Sequence, residues 1–308
     1  MSAAEPTAGS TRLDRASPSG RAGLAESGRP GLVRPGLGRL LGGRLLVSEI
    51  GMLIRRRRNQ FILLALIAIP IIIAIAVKLT NDSSSAGGLI GGITNNGIFV
   101  SFTALVVVIP IFLPMAVAVV VGESVAGEAG SGTLRYLLTV PVSRTRLLAV
   151  KFAALAAWCL IIAGVVAIAG LLIGFALFPI GKVTLLSGTQ TSLVGGLGRL
   201  TVVVGYAALM MLAIAAIGLF ISTLTEVPIA AMAATLAVAI IMQVLVAVPQ
   251  LHSIRPYLLS NSLLDFADVL RDPLTFSGLR HGVLLALGYI VIFWPLAWAR
   301  FTSKDISS

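Results

Sequence analysis

Residues 200–248 read LTVVVGYAALMMLAIAAIGLFISTLTEVPIAAMAATLAVAIIMQVLVAV, with a single charged position, Glu226. Leu, Ala, Ile and Val run on without the apolar–polar alternation of a barrel strand. In lipid every backbone N–H and C=O must be satisfied inside the segment that carries it, which leaves helix as the solution. The stretch is therefore two helices, Leu200–Leu224 and Pro228–Val248, with Thr225 and Glu226 as a minimal polar turn. At 1.5 Å per residue each is long enough to cross a hydrocarbon core of about 30 Å.

Working outward, four more apolar segments of sufficient length occur at Phe61–Val77, Ile98–Val121, Leu147–Phe178 and Gly282–Ala299. The expectation is an all-α membrane protein of six transmembrane helices. The third segment exceeds what a bilayer needs, so it should be tilted, kinked or partly outside. Composition agrees: 57% of the 308 residues are hydrophobic and 11% charged, with a mean hydropathy of +1.01, against about 25% charged in soluble domains. Soluble-enzyme classes are excluded. The single cysteine, Cys159, lies in an apolar run, so neither an intrachain disulfide nor a Cys-rich metal site can form.

The net charge of +11 does not indicate a nucleic-acid partner, because eleven of the 23 Lys and Arg precede Phe61 and flank the first span. With the N-terminus inside, seventeen cations fall on the cytoplasmic side and six on the other, which places both termini in the cytoplasm of a multi-pass cell-membrane protein. The run Arg55–Arg58 dominates that asymmetry as a topology anchor. Residues 1–38, rich in Gly, Pro, Ser and Arg, lack the apolar surface to offset ordering and read as a disordered cytoplasmic tail without a signal peptide.

Residues 39–58 read as an interfacial amphipathic helix and basic anchor. Leu46, Val47, Ile50, Leu53 and Ile54 form one stripe, with Arg44, Ser48, Glu49 and Arg55 opposite. A plain extension of the first span is the alternative. Residues 59–308 form the six-helix domain, with a cytoplasmic loop at 122–146 and an external loop at 249–281 as its two long connections.

The chain carries no nucleotide site of its own. Its only Gly-Lys pair, Gly181-Lys182, has Ala176 where a P-loop needs its first glycine and Val183 where it needs Ser or Thr. His252 and His281 sit in or beside the external loop without the carboxylate or Cys spacing of a metal site. No charge lies in the middle of a span, which disfavours an ion-coupled carrier or channel. A membrane scaffold without transport activity is the third class. Gln243 stands out among the weakly polar residues inside spans, since a primary amide at membrane depth needs a polar neighbour or a cavity.

In the cytoplasmic loop, Leu134, Leu137 and Leu138 recur at i, i+3 and i+4, so a short helix beginning near Thr133 presents an apolar ridge. Pro141 stops it and Ser143 is placed to cap the next helix. Such a ridge suits a partner's groove, and a helix lying flat on the bilayer is the alternative. Glu123 and Glu128 stand among basic residues, and one of them should pair with Arg135, Arg144 or Arg146 and stiffen the connection; a solvated surface role is the alternative.

This loop resembles that of the permease subunits of ABC-2-type exporters. The matching residues are Glu128, Gly132-Thr133-Leu134, Leu137-Leu138, Pro141-Val142-Ser143-Arg144 and Lys151, and the C-terminal Phe301 and Lys304-Asp305-Ile306 also match. The resemblance covers about Leu45 to Ile306. It implies the ABC-2-type exporter fold, with Thr133–Leu138 as the coupling helix docked on a separate cytoplasmic ABC ATPase. Glu128, Thr133, Leu134, Arg135, Leu137, Leu138 and Arg144 would be the coupling set and Glu123 the lever or gate.

ATP and Mg would be bound by that partner and no cofactor by this chain. A second permease copy or homologue would face the first around a central path. By the same resemblance, together with helical spacing, Phe99, Phe102 and Thr103 of the second helix and Thr235 and Gln243 of the fifth would line it. The sparse charge of the spans points to an amphiphilic or apolar cargo, such as a lipid, a peptide or a drug-like metabolite, and to membrane lipid as a partner.

Overall fold

The computed structural model describes residues 46–80, 92–94, 96–130, 144–181, 183–184, 189–270 and 277–303. The N-terminal tail and the Thr133–Leu138 ridge lie outside them. Helix α1 (46–55) ends at a bend on Arg56, and α2 (Arg57–Thr80) is the first span. A single bent residue thus separates α1 from α2. Val47, Met52 and Ile54 of α1 are exposed, while Leu53 packs on the core.

The second span is not one helix. It is α3 (Ile98–Val108) and α4 (Phe112–Ser124), bent by 60°. Pro110 lies in the break; it has no N–H to donate, and its ring clashes with the carbonyl four residues back. Pro114 sits in the first turn of α4, where the missing N–H costs nothing. The continuous span expected at Ile98–Val121 is corrected accordingly.

After α4 a bend at Val125 leads to α5 (Ala126–Gly130). Then come α6 (Arg144–Leu177), a small antiparallel pair β1 (Val183–Thr184) and β2 (Gln190–Thr191), α7 (Leu193–Leu224), α8 (Pro228–Ala247) and α9 (Ser277–Ser303). The two short strands are an addition to the all-α reading. Helix α6, at 34 residues, is about 51 Å long, well beyond the hydrocarbon thickness, as expected of the third span. The last helix begins at Ser277, so it takes up the end of the loop expected to run to residue 281.

Helix α7 is the hub: α4, α6, α8 and α9 all pack on it. Its buried face is rich in small residues, Ala207, Ala208, Ala213, Ala215, Ala216 and Gly218, which let backbones approach in the absence of a hydrophobic drive between helices. The closest seam joins α3 and α6. Gly97 and Gly174 meet backbone to backbone, so that a Cβ on either would strike the other's carbonyl oxygen. One turn away, Ser101 Oγ donates to the Ala167 carbonyl at 2.9 Å beside Gly170.

At the end of the bundle remote from the arginine run, Pro249–Leu270 forms a series of 3-10 turns whose Leu259, Leu263, Phe266 and Leu270 are buried in the core. Two side chains of α7 tie this cap down: the Tyr206 hydroxyl donates to the Ser262 carbonyl and the Arg199 guanidinium to that of Val269. His281 contacts the Pro256 carbonyl through Nε2 at 2.9 Å.

Candidate functional site

Three ion pairs gather at the arginine-rich end, where α1, α2, α4 and α6 meet. Glu123 stands in the last turn of α4, and both of its carboxylate oxygens are held. Arg56, at the bend between α1 and α2, pairs with Oε2, and Arg58 Nη1 pairs with Oε1 at 2.6 Å. Arg58 also donates through Nη2 to the Val119 carbonyl at 3.3 Å, so it clasps the last turn of α4 by backbone and side chain. Among the described residues Glu123 is therefore paired with two of the anchor arginines, Arg56 and Arg58. The reason is the bend at Arg56, which turns Arg56 and Arg58 onto α4 instead of leaving them as a solvated run.

Glu49, expected on the outer face of α1, is likewise turned inward and stands 3.7 Å from Lys151 Nζ of α6. Lys151 is 4% exposed and Glu49 21%, so an ammonium at this depth requires compensation. Asn59 Nδ2 donates to the Leu53 carbonyl at 2.8 Å and secures the end of α1 against α2. Between the two ion pairs lies a cleft of about 30 Å³ bordered by Glu49, Arg56, Glu123 and Lys151, enough for a bridging water.

The exit from α4 is held from a third side. Ser222, near the end of α7, accepts from the Ala126 N–H at 3.0 Å and the Val125 N–H at 3.3 Å, and its hydroxyl is 3.4 Å from the Gly122 carbonyl. One hydroxyl thus satisfies backbone groups freed where α4 bends into α5. Gly122 meets Met232 of α8 so closely that a Cβ there would overlap it. On the return side, Trp298 Nε1 of α9 donates to Thr145 Oγ1 at 3.0 Å in the first turn of α6. The helices on either side of segment 131–143 are consequently fastened, the one before it at Glu123 and Ser222 and the one after it at Thr145 and Lys151.

Of the coupling residues expected from sequence, Thr133, Leu134, Arg135, Leu137 and Leu138 lie outside the described residues. Glu128 is on α5 and Arg144 opens α6, and their side chains are likewise not described. Sequence reasoning missed Arg56, Arg58, Glu49 and Ser222 as parts of this junction, and it had Lys151 only as a residue of the family pattern, without a partner. The one available signal was a Lys inside the first turns of an apolar helix.

The residues expected to line a path are not brought together within one chain. Phe99 and Phe102 are fully buried, their rings 5.9 Å apart in the core, and Thr103 is buried beside them. Thr235 donates to the Ala231 carbonyl at 2.7 Å and packs against Gly218 of α7. Gln243 is exposed, among the exposed Ile240, Ile241 and Val244 of α8. The break at Pro110 explains the separation: α3 packs on α6, while α8 packs on α4.

With this geometry in view, comparison with known families is specific. Residues 53–243 match the model of the ABC-2 family transporter proteins. No curated protein matches the chain. The match spans well over half of the sequence, and the chain belongs to the ABC-2 family: it is a multi-pass membrane permease subunit whose partner is an ABC ATPase on a separate protein.

Proposed function

We propose that this permease works as an exporter in the cell membrane, with both termini in the cytoplasm, two copies facing each other, and two ATPase subunits docked on the Thr133–Leu138 ridges. The observation that carries the reading is the bracing of the helices on either side of segment 131–143, at Glu123 and Ser222 before it and at Thr145 and Lys151 after it. A loop that only joins two spans needs no such fastening, whereas a loop that transmits force must not slide on the bundle it moves. Closure of the ATPases on ATP would push the ridge, and Glu123, held by Arg56 and Arg58, would pass that displacement to α1 and α2.

In this reading ATP and Mg belong to the partner, and this chain catalyses nothing. The cargo is amphiphilic or apolar, a lipid, peptide or drug-like metabolite, because the described spans offer no mid-membrane charge for an ion or a strongly polar solute. Gln243, on the exposed face of α8, is placed to meet the second copy or the path between copies, which relieves the cost of a primary amide against lipid. Copurification tests the proposal. A P-loop ATPase should be retained by the native chain and released by Leu134→Asp, and vesicles holding both proteins should move an amphiphilic dye only with ATP. Retention of no ATPase, or ATP-independent movement, would overturn it.

A further inference from the structure

An apolar groove of about 460 Å³ lies on the seam of α2 and α6. Ile67 and Ile71 form one wall, and Val165, Ala169, Leu172 and Ala176 the other. The wall residues of α6 recur at i, i+4, i+7 and i+11, so they make a single stripe along that helix. On α2, Ile67, Ile71 and Lys78 fall within about 40° of one another at 100° per residue. The groove therefore runs straight to Lys78. There the Lys78 Nζ donates to the Leu177 carbonyl at 3.1 Å and lies 5.7 Å above the Phe178 ring, which fixes a cation at the mouth, one residue beyond Ala176.

Three dimensions identify what fits. From Val165 to Ala176 the groove extends about 16 Å along α6, the hydrocarbon depth of one leaflet, since a whole core is about 30 Å. Arg58 and Lys78 are twenty residues apart in α2 and so mark its two boundaries about 30 Å from each other. Ile67 then lies near the midplane and the groove occupies the half toward Lys78. Its volume holds roughly fifteen groups of water or methylene size at about 30 Å³ each. A transmembrane helix of the same length, about 10 Å across, would need roughly 1,200 Å³ and cannot be accommodated.

We infer that the α2–α6 groove is a binding site for one glycerophospholipid of the leaflet on the Lys78 side. One acyl chain lies along the stripe of α6, and the phosphate sits on the Lys78 ammonium. That ammonium carries three donors. The Leu177 carbonyl takes one and the Phe178 ring lies against the ammonium, which leaves donor capacity for the phosphate oxygens of the headgroup layer. The lipid seals the seam between the first span and the long helix that carries the return of the cytoplasmic loop. The site is independent of the proposed cargo and of the direction of transport.

Native mass spectrometry of the complete transporter in detergent, titrated with dioleoyl phosphatidylglycerol or with dioleoylglycerol, tests this. The phosphate-bearing lipid should be retained at one per chain, and the uncharged one lost at the same concentration. Lys78→Gln should weaken retention about tenfold, the worth of a charge-assisted hydrogen bond, and Lys78→Arg should keep most of it. Ala169→Phe, which fills the groove from the other wall, should abolish retention while leaving the ATPase-bound assembly and its melting temperature intact. Equal retention of both lipids, or indifference to both Lys78→Gln and Ala169→Phe, would overturn the site. So would loss of pairing between copies in Ala169→Phe without loss of lipid, since the groove would then be a protein interface.

Discussion

Glu123 offers the sharpest perturbation. Replacing it by Gln keeps the shape of the α4 terminus but removes the anion gripped by Arg56 and Arg58. The side chains are 24%, 51% and 41% exposed respectively, so neither pair works at the low dielectric of a core, and each is worth up to about 1 kcal/mol after screening. Because one carboxylate serves both guanidiniums and Arg58 is further fixed on the Val119 carbonyl, the loss should reach about 1–2 kcal/mol. In melting experiments that is a shift of a few degrees for a chain of this size, with assembly retained. ATP-driven transport should fall more steeply, by roughly five- to thirtyfold if the same energy is needed to transmit the stroke. A double-mutant cycle with Arg58→Gln decides the matter: the two losses should be markedly non-additive, with a coupling of about 0.5 kcal/mol or more. Additive losses, or normal transport by Glu123→Gln, would refute the lever assigned to this junction.

Leu134→Asp or Leu137→Asp should leave insertion intact and abolish ATPase retention, since desolvating a carboxylate in a partner's groove costs several kcal/mol; pulldown of the ATPase measures it. At the α3–α6 seam, Gly174→Leu should cost about 3 kcal/mol or more, because its Cβ would meet the Gly97 carbonyl, whereas Gly164→Ala on the same helix has open space and should melt like the native chain. Asp265, in the cap remote from the arginine run, is pushed above its ordinary value by burial and by the neighbouring Asp268. Its contribution to cap stability is therefore complete below the ordinary carboxylate value and is lost as pH rises through the raised one. Asp265→Asn should thus protect the cap from proteolysis at neutral pH and flatten the pH dependence of that protection.

The spans were legible because hydropathy and length suffice to mark a helix in lipid, and five of the six are single helices where the sequence implied them, although α7 and α9 begin seven and five residues earlier than expected. The break in the second was not, although Pro110 is plain in the sequence. Pro70 and Pro295 lie inside continuous helices, so a proline alone does not say whether a membrane helix will part. The α3–α6 seam left a readable trace, small residues four apart at Gly97 and Ser101 and again at Gly170 and Gly174. The junction left almost none. Arg56 and Glu123 are 67 residues apart, and an arginine run beside a first span is fully accounted for by topology. Only the bend at Arg56 reveals that part of the run turns back onto α4.

The unequal stiffness of the helices around this junction bears on how displacement travels. Helix α7 is uninterrupted over 32 residues and is held at both ends, by Ser222 on the α4–α5 bend and by Tyr206 and Arg199 on the cap. Ser222 and Tyr206 are about 24 Å apart along the helix, and its close-packed small-residue face leaves little room for independent motion of its neighbours. A tilt imposed at Ser222 must reappear at the Ser262 carbonyl. The second span, by contrast, has a 60° break between α3 and α4, and its two halves pack on different helices, so α4 can follow the junction while α3 stays fixed on α6 through Gly97 and Ser101. In the proposed stroke, displacement entering at Glu123 and Ser222 would therefore divide: α7 would carry it across the membrane as a rod, and the turn at Ile109–Ile111 would absorb it in the span that otherwise resists.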